Sequence, residues 1–183
     1  YKVTGVQTCA LPIFYTVGRI SAVKRLEVLV DSFRLFHAGK PGVEAKLNIV
    51  GDCLGDADRT YRARLDDLVH TAGLDALVRF VPSVPFHQVH HVHQQGDVFL
   101  HANDNGLDKA LLEAMSCAVP AIACHPAVSG ALGEWAAREP QDVAQRMTRL
   151  TEMSADQRRA LGEKMRTFVV DHHGLSEIGR AHV

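Results

Sequence analysis

The 183-residue sequence predicts an α/β fold, a Rossmann-like parallel sheet with helices on both faces and an all-helical C-terminal part. Two observations carry this prediction. Short apolar runs bounded by Gly, Pro or Asp alternate with longer segments in which apolar residues recur every three or four positions. The alternation is typical of a parallel sheet covered by helices, and the hydrophobic content of 46% is enough for the core of one domain.

Five apolar runs are predicted as strands. Strands of a parallel sheet are buried on both faces, so they read as nearly continuous apolar segments. The predicted strands are Tyr15–Ile20, Lys46–Val50, Leu77–Val81, Asp97–Ala102 and Pro120–Cys124.

Helical spacing of apolar residues fills the gaps between these strands. It predicts helices over residues 26–36 and 61–69, a shorter helix from Pro85 to about Gln95, and one that starts near Leu107. Two further helical segments follow the fifth strand, around residues 143–150 and 161–168. Ser154 and Gln157 predict a capping box at the start of the last helix.

The composition excludes a broad electrostatic attraction to nucleic acid or to an anionic membrane. There are 20 Lys and Arg against 21 Asp and Glu, a formal net charge of −1. No apolar run approaches the roughly 18 residues of a membrane span. Three cysteines in the central part of the chain, with no CxxC pair, favour reduced thiols and a cytoplasmic location.

Both ends of the sequence resemble translated sequencing-adapter sequence. The N-terminal stretch is VTGVQTCALPI (Val3–Ile13) and the C-terminal one is EIGRAHV (Glu177–Val183). We therefore interpret residues 1–13 and 177–183 as artefacts and exclude them from fold reasoning. The domain is predicted over 14–176, truncated at both ends.

The first candidate site motif is VGRISAVKR (Val17–Arg25), at the end of the first predicted strand. In such sheets ligands bind beyond the carboxyl ends of the strands. Gly18 allows a tight turn, and Arg19 and Lys24 place two cations beside a helix N-terminus, which itself attracts anions. This combination suits a diphosphate. The alternative is an ordinary strand-to-helix turn with solvated cations.

The second candidate motif is NDNGLDKALLEAMSCAVPAIA, residues 103–123. Gly106 and the free N–H groups of the following helix favour an anion, and Lys109 and Glu113 lie one turn apart. A glutamate there can accept bonds from the two hydroxyls of a ribose. The alternative is an intrahelical ion pair, with Asp108 as a first-turn partner of the helix dipole.

Weaker signals complete the candidate set. Gly51, in VGDCLGD (Val50–Asp56), allows close backbone approach to a nucleotide, although turn chemistry alone explains it. The histidines between the third and fourth strands lack a cysteine or carboxylate at suitable spacing, so a surface helix is favoured over a metal site. No metal site is predicted. The histidines are His87, His90, His91 and His93, with His101 further on.

Five stretches of the sequence resemble the C-terminal, donor-binding half of a retaining GT-B glycosyltransferase of family 4, the glycosyl transferases group 1. They are the motif after the first strand, LDKALLEAMSCAVPAIA after the fourth, and LNIVGD, VRFVPSV and GDVFLHAND. The resemblance implies hexosyl transfer from a nucleoside-diphosphate sugar to an unknown acceptor, a glycan or lipid-linked molecule, in bacterial polysaccharide biosynthesis. It implies no cofactor and no metal. It also implies a missing N-terminal acceptor domain, an inactive fragment, no nucleic-acid partner, and a cytoplasmic full-length protein compatible with peripheral membrane association.

The resemblance also assigns roles to residues. Arg19 and Lys24 would hold the diphosphate as the catalytic cations, and Glu113 would bond the ribose. Backbone of Asn105, Gly106 and Leu107 would meet sugar and phosphate, and backbone at Val81 and Pro82 would flank the base. Gly18, Gly51 and Lys109 complete the binding set.

Asn105 departs from the family's commonest pattern, which has a second glutamate eight residues before the first. Arg25 and Ala118 also replace usual glycines. The departure at Asn105 supports one alternative, a non-catalytic module that binds sugar nucleotides. The other alternative, an epimerase or phosphorylase half of the same architecture, would need a catalytic His or a cofactor Lys that the sequence does not identify.

Overall fold

The computed structural model describes residues 12–103 and 106–173. Within these ranges one sheet contains five strands, all paired in parallel, in the order β3-β2-β1-β4-β5. Its strands are β1 Ile13–Val17, β2 Lys46–Val50, β3 Val78–Val81, β4 Val98–Leu100 and β5 Ala121–Ile122. The predicted Rossmann-like parallel sheet is confirmed.

Helices follow the strands in the predicted alternation, and the part after β5 is helical. The α-helices are α1 Leu26–Gly39, α2 Asp56–Thr71, α3 Val89–Gln95, α4 Lys109–Ser116, α5 Ser129–Leu132, α6 Pro140–Glu152 and α7 Ala155–His173. Short 3-10 turns lie at Ala22–Lys24, Phe86–Gln88, Pro126–Val128 and Gly133–Trp135.

The central strand β1 shows how both faces of the sheet are covered. Phe14 and Tyr15 are consecutive, so their side chains point to opposite faces, and both are fully buried. Phe14 packs edge-on against Phe36 of α1, with ring centroids 5.3 Å apart. Tyr15 packs against Phe99 on β4 and against His93 of α3. Helices therefore lie on both faces, as the sequence predicts.

The first strand is shorter at its carboxyl end than the predicted Tyr15–Ile20. Gly18 has φ 148°, a conformation that favours glycine, and the chain turns there. The loop remains attached to its neighbour, because the Gly18 N–H donates to the Val50 carbonyl (2.9 Å) and the Ile20 N–H to the Asp52 carbonyl (3.0 Å). Arg19 consequently lies on a loop at the edge of the sheet.

The N-terminal boundary of the domain also differs by one residue. Ile13 opens β1 and pairs with Lys46, although the sequence interpretation excluded it. Residues 1–11 and 177–183 lie outside the described residues, so the adapter interpretation stays a prediction.

Helix α4 begins at Lys109, two residues later than expected. Asp108 has extended backbone angles and is the N-cap residue, with its side chain accepting the N–H of Ala110 (3.3 Å). The alternative interpretation placed Asp108 in the first turn as a partner of the helix dipole, and the structure places it one position earlier, at the N-cap. Its carboxylate instead occupies the position of an N-cap acceptor.

The predicted capping box of the last helix is confirmed. The Ser154 N–H donates to Gln157 Oε1 (2.7 Å), and the Gln157 N–H donates to Ser154 Oγ (3.2 Å). These bonds fix the start of α7 at Ala155.

Candidate functional site

The loops after β1, β2 and β3 are joined by backbone contacts that only glycine allows. A Cβ on Gly51 would lie 1.8 Å from the Gly18 carbonyl oxygen, and Gly51 has φ 155°. The Gly51 N–H donates to the Val81 carbonyl (2.9 Å). These contacts hold the three loops side by side at the carboxyl edge of the sheet.

A cavity of about 260 Å³, which we call the strand-end cavity, opens between these loops. Its walls are mostly apolar, and Asp52 and Ser83, whose side chains are hydrogen-bonded to each other, supply polar groups. The lining residues are Val17, Gly18, Arg19, Val50, Gly51, Asp52, Leu54, Ser83, Val84 and Val89. A flat heterocycle fits such a slot.

Arg19 reaches this cavity from the loop after β1 and is held by a carboxylate. Its Nε donates to Asp58 Oδ2 (2.6 Å) and its terminal nitrogen to Asp58 Oδ1 (3.1 Å). The Arg19 guanidinium lowers the pKa of Asp58, and the Leu54 N–H bond (2.9 Å) adds to this effect. The Arg19 side chain is nevertheless about half exposed, at 52%. It is therefore fixed in direction and open to a ligand.

Lys24 lies in a second, more enclosed place. Its Nζ donates to Asp108 Oδ2, and His101 Nε2 lies 3.4 Å from the same oxygen. These three side chains line a void of about 10 Å³ together with Gly18 and Arg19. Burial by itself would raise the pKa of Asp108, but the neighbouring His101 and Lys24 outweigh it and hold that pKa below its usual range. The site thus contains a partly buried carboxylate next to its second cation.

Glu113 and Lys109 face a third cavity, of about 490 Å³, between α3, α4 and α7. Lys109 Nζ lies 3.6 Å from Glu113 Oε1, and it also sits over the Phe86 ring, 4.1 Å from its centre. Val89 lines both this cavity and the strand-end cavity. Glu113 therefore adjoins the cavity of Arg19 without lining it.

The remaining predicted binding residues are divided. Gly18 and Gly51 line the strand-end cavity, whereas Val81 and Pro82 do not line it and directly precede Ser83, which does. Gly106 is exposed and Leu107 partly buried, directly before α4. Asn105 lies outside the described residues.

Asp58, Asp108 and His101 were missed as members of the site. The signal for Asp58 was its place in the first turn of α2, where a carboxylate is favoured by the helix dipole. His101 was noted only as an outlying member of the histidine group. The structure shows that it belongs with Lys24 instead.

The other histidines behave as the sequence analysis expects of a partly packed helix. His93 is buried with Nδ1 2.9 Å from the Tyr15 hydroxyl, and desolvation lowers its pKa to about 4. His87, His90 and His91 are exposed. In residues 12–103 and 106–173, no group of three or more His, Cys, Asp or Glu is arranged to hold a metal ion.

Comparison with known proteins decides the family. The sequence model described as Glycosyl transferases group 1 matches residues 10–168. The chain belongs to this family. A curated relative, D-inositol 3-phosphate glycosyltransferase of Streptosporangium roseum, is 27% identical over 152 residues, covering 76% of this chain and 34% of the relative.

Solved structures share the fold of this group 1 domain. The structure of Anabaena HepE in complex with UDP and glucose superposes with a TM-score of 0.77 and 16% identity, over 92% of this chain and 46% of HepE. Sucrose-phosphate synthase of Thermosynechococcus elongatus gives 0.77 and 20%, over 93% and 44%. The chain thus spans about a third to a half of the length of these proteins. No helix in the described ranges is long and apolar enough to cross a membrane.

Proposed function

We propose that this chain is the donor-binding half of a retaining hexosyltransferase, which transfers sugar from a nucleoside-diphosphate sugar to a glycan or lipid-linked acceptor. One observation carries the proposal. Arg19 and Lys24, on one loop after β1, line adjoining spaces at the carboxyl edge of the sheet, with the N-terminus of α4 beside Lys24. Solved relatives with this fold are in complex with UDP or UDP-glucose.

The strand-end cavity would take the base. Its apolar walls can stack against a heterocycle, and backbone at Gly51, Val81 and Pro82 would flank it. Pro82 has no N–H and the Gly51 N–H already donates to the Val81 carbonyl, so hydrogen bonds from the base would be accepted by backbone carbonyls. Recognition through backbone groups leaves the choice of base open among uracil, guanine and adenine.

The diphosphate would lie between Arg19 and the start of α4. Negative charge builds on the leaving phosphate as the glycosidic bond breaks, and fixed cations stabilise it without reorganising. Backbone N–H groups at Gly106 and Leu107 and the dipole of α4 add positive potential. Arg19 and Lys24 are therefore the proposed catalytic residues, and no metal is required.

The ribose would lie toward Glu113, across Val89 from the base. Lys109 Nζ lies 3.6 Å from Glu113 Oε1, and the Glu113 carboxylate would accept the two ribose hydroxyl groups. Asn105 would bond the hexose in place of the more common glutamate.

Retention would proceed by attack of the acceptor on the same face of the sugar, with the departing phosphate accepting the acceptor's proton. No side-chain nucleophile is needed for this step. The acceptor would be bound by a separate N-terminal domain of a full-length cytoplasmic protein, one compatible with peripheral membrane association. This chain by itself would bind donor and transfer nothing.

Ligand-observed NMR with UDP, GDP and ADP tests the proposal. Removing a charge-assisted bond to phosphate or ribose typically weakens binding about 10-fold to 100-fold, and we expect such losses for Arg19→Ala and Glu113→Ala. Arg159→Ala is the matched control, because Arg159 is an exposed arginine of α7, on another element, and lies 3.8 Å from Asp156 of the same helix. Unchanged nucleotide binding in both site variants would contradict the proposed roles of Arg19 and Glu113.

A non-catalytic sugar-nucleotide-binding module is the second candidate, favoured by Asn105. The full gene separates the two. An upstream Rossmann domain with a Gly-rich acceptor loop supports the enzyme, whereas a different neighbouring domain supports the binding module.

A further inference from the structure

Asp108 has two different tasks at the start of α4. Its Oδ1 accepts the Ala110 N–H and caps the helix, while its Oδ2 accepts from Lys24 Nζ. The ring nitrogen Nε2 of His101 lies 3.4 Å from that same Oδ2. One carboxylate oxygen is thus within reach of two cationic or potentially cationic groups.

His101 is held in place but incompletely bonded. Its backbone N–H donates to the Ile122 carbonyl (3.0 Å), which fixes it just beyond β4. Its residue surface is only 5% exposed, and neither ring nitrogen completes a hydrogen bond to the described residues. Buried polar groups without partners are rare and costly, so this ring is suited to a second state in which it has one.

The charges around His101 are balanced before any ligand arrives. The charged groups facing its void are Arg19 and Lys24, from the loop after β1, and Asp108, from the start of α4. Arg19 is neutralised by Asp58 and Lys24 by Asp108. A diphosphate would bring two negative charges close to Asp108, so repulsion would oppose binding unless positive charge is added.

We propose that His101 takes up a proton when the diphosphate of a nucleotide sugar binds, and that its imidazolium replaces Lys24 as the partner of Asp108. The ammonium of Lys24 then turns to the phosphate. The proton comes from solvent, and no covalent bond forms or breaks. His101 is thereby a positioning residue for Lys24, an inference that rests on the proposed function.

The carboxylate of Asp108 does not take up the proton when the ligand binds. Burial would favour its neutral form, but His101 and Lys24 hold the pKa of Asp108 below its usual range, so it stays ionised near neutral pH. Arg19 and Lys24 enter as cations. The imidazole of His101, whose two ring nitrogens have no hydrogen-bond partner among the described residues, is left to accept the proton.

Calorimetric titration with UDP-glucose, GDP-glucose and ADP-glucose measures this proton directly. The same titration in two buffers of different ionisation enthalpy gives the number of protons taken up, and the diphosphate diester of these ligands does not itself titrate near neutral pH. We expect uptake approaching one proton per bound ligand. Because binding takes up a proton, the affinity should rise as pH falls, by at most about tenfold per pH unit.

Two site variants and one control separate the exchange from a structural role. In His101→Gln, proton uptake should fall to near zero and the pH dependence should disappear. In Asp108→Asn, Lys24 is already released, so binding should occur without proton uptake. His70→Gln is the control, because His70 also lies 3.3 Å from an aspartate, Asp75, but on the exposed end of α2. It should behave as the wild type does.

The outcomes distinguish this inference from the proposed function. Failure of the wild-type chain to bind any of the three ligands overturns the proposed function and this inference with it. Binding without proton uptake, or undiminished uptake in His101→Gln, overturns the inference alone. If His101→Gln does not fold, the ring-proton NMR signal of His101 in the wild type decides. It must move to the imidazolium position when ligand binds.

Discussion

The two cations of the candidate site are both paired, but in different surroundings. Arg19 makes a two-pronged bond to Asp58 and remains about half exposed, although the Asp58 side chain is buried at 5%, whereas Lys24 is 24% exposed and its partner Asp108 14%. A half-exposed cation is screened by water and salt more than an enclosed one. The Arg19 pair therefore orients a cation that is already available. The Lys24 pair must be rearranged before its cation can serve a ligand.

The largest loss of stability is expected from Gly51→Ala, because this variant disrupts the close contact between the loops after β1 and β2. The new Cβ would lie 1.8 Å from the Gly18 carbonyl oxygen, in a backbone conformation that disfavours side chains. Since backbone cannot give way as a flexible side chain does, we expect a loss of about 4 kcal/mol in the free energy of unfolding. Urea unfolding followed by circular dichroism measures it.

Gly55→Ala is the matched control for that variant. A Cβ on Gly55 meets nothing within 4 Å, so its effect should be far smaller. Equal losses in the two variants would show that the loops after β1 and β2 are not held by their close contact.

Asp108→Ala should cause the next largest loss. It leaves the mostly buried ammonium of Lys24 without its carboxylate and also removes the N-cap of α4. Breaking a buried pair typically costs 3–5 kcal/mol and losing a cap about 1, but this pair is only partly buried, so we expect about 3 kcal/mol in total. Thermal or urea unfolding at neutral pH measures it, and added salt should change the loss little.

Lowering the pH should reduce the free energy of unfolding through protonation of His93. This contribution must be separated from that of the two ion pairs. The folded-state pKa of His93 is lowered to about 4 by desolvation. Stability is therefore lost as pH falls from about 6.5 toward 4, by about 2–4 kcal/mol, because the unfolded chain binds the proton first. Urea unfolding at pH 7 and pH 5 shows the slope.

His93→Gln should flatten that slope while also destabilising the chain at neutral pH, since the Tyr15 hydroxyl lies 2.9 Å from the imidazole. An unchanged slope in this variant would mean that another group titrates. Asp58 and Asp108 affect stability at lower pH than His93 does. Their pKa values are lowered in the fold, so they stabilise it above the usual carboxyl range, and this stabilisation is lost as pH falls below that range.

The sequence was sufficient for the sheet and for the loop that carries the cations. Apolar runs specify buried strands: four of the five predicted runs contain a strand of the sheet, and the first overlaps β1. Boundaries were less predictable. The strand before Gly18 ends where a positive φ and the bond to Val50 turn the chain, and such contacts with another strand are not encoded locally.

The sequence alone did not predict which carboxylates pair with Arg19 and Lys24. Arg19 and Asp58 are 39 residues apart, and Lys24 and Asp108 are 84 apart. Only the parallel topology, which places the ends of β1, β2 and β4 at one edge, brings them together. Asp108 was visible as a residue near a helix start, but its bond to Lys24 depends on the order of strands.

The smallest effect on stability is expected from Asp58→Ala, and it tests the comparison of the two pairs most directly. Asp58 itself is buried, but its removal leaves behind the half-exposed guanidinium of Arg19, which keeps its access to solvent, so the loss should be below that of Asp108→Ala. Most of it should come from the Leu54 N–H, which loses its acceptor. Raising the salt concentration to about 0.5 M should diminish the Arg19 contribution, since screening acts within a few ångströms at that ionic strength. Urea unfolding of both variants at two salt concentrations measures this difference.

A loss for Asp58→Ala that equals that of Asp108→Ala and resists salt would mean that Arg19 is as dependent on its carboxylate as Lys24. The availability of Arg19 to a phosphate would then have to be explained by the same kind of exchange.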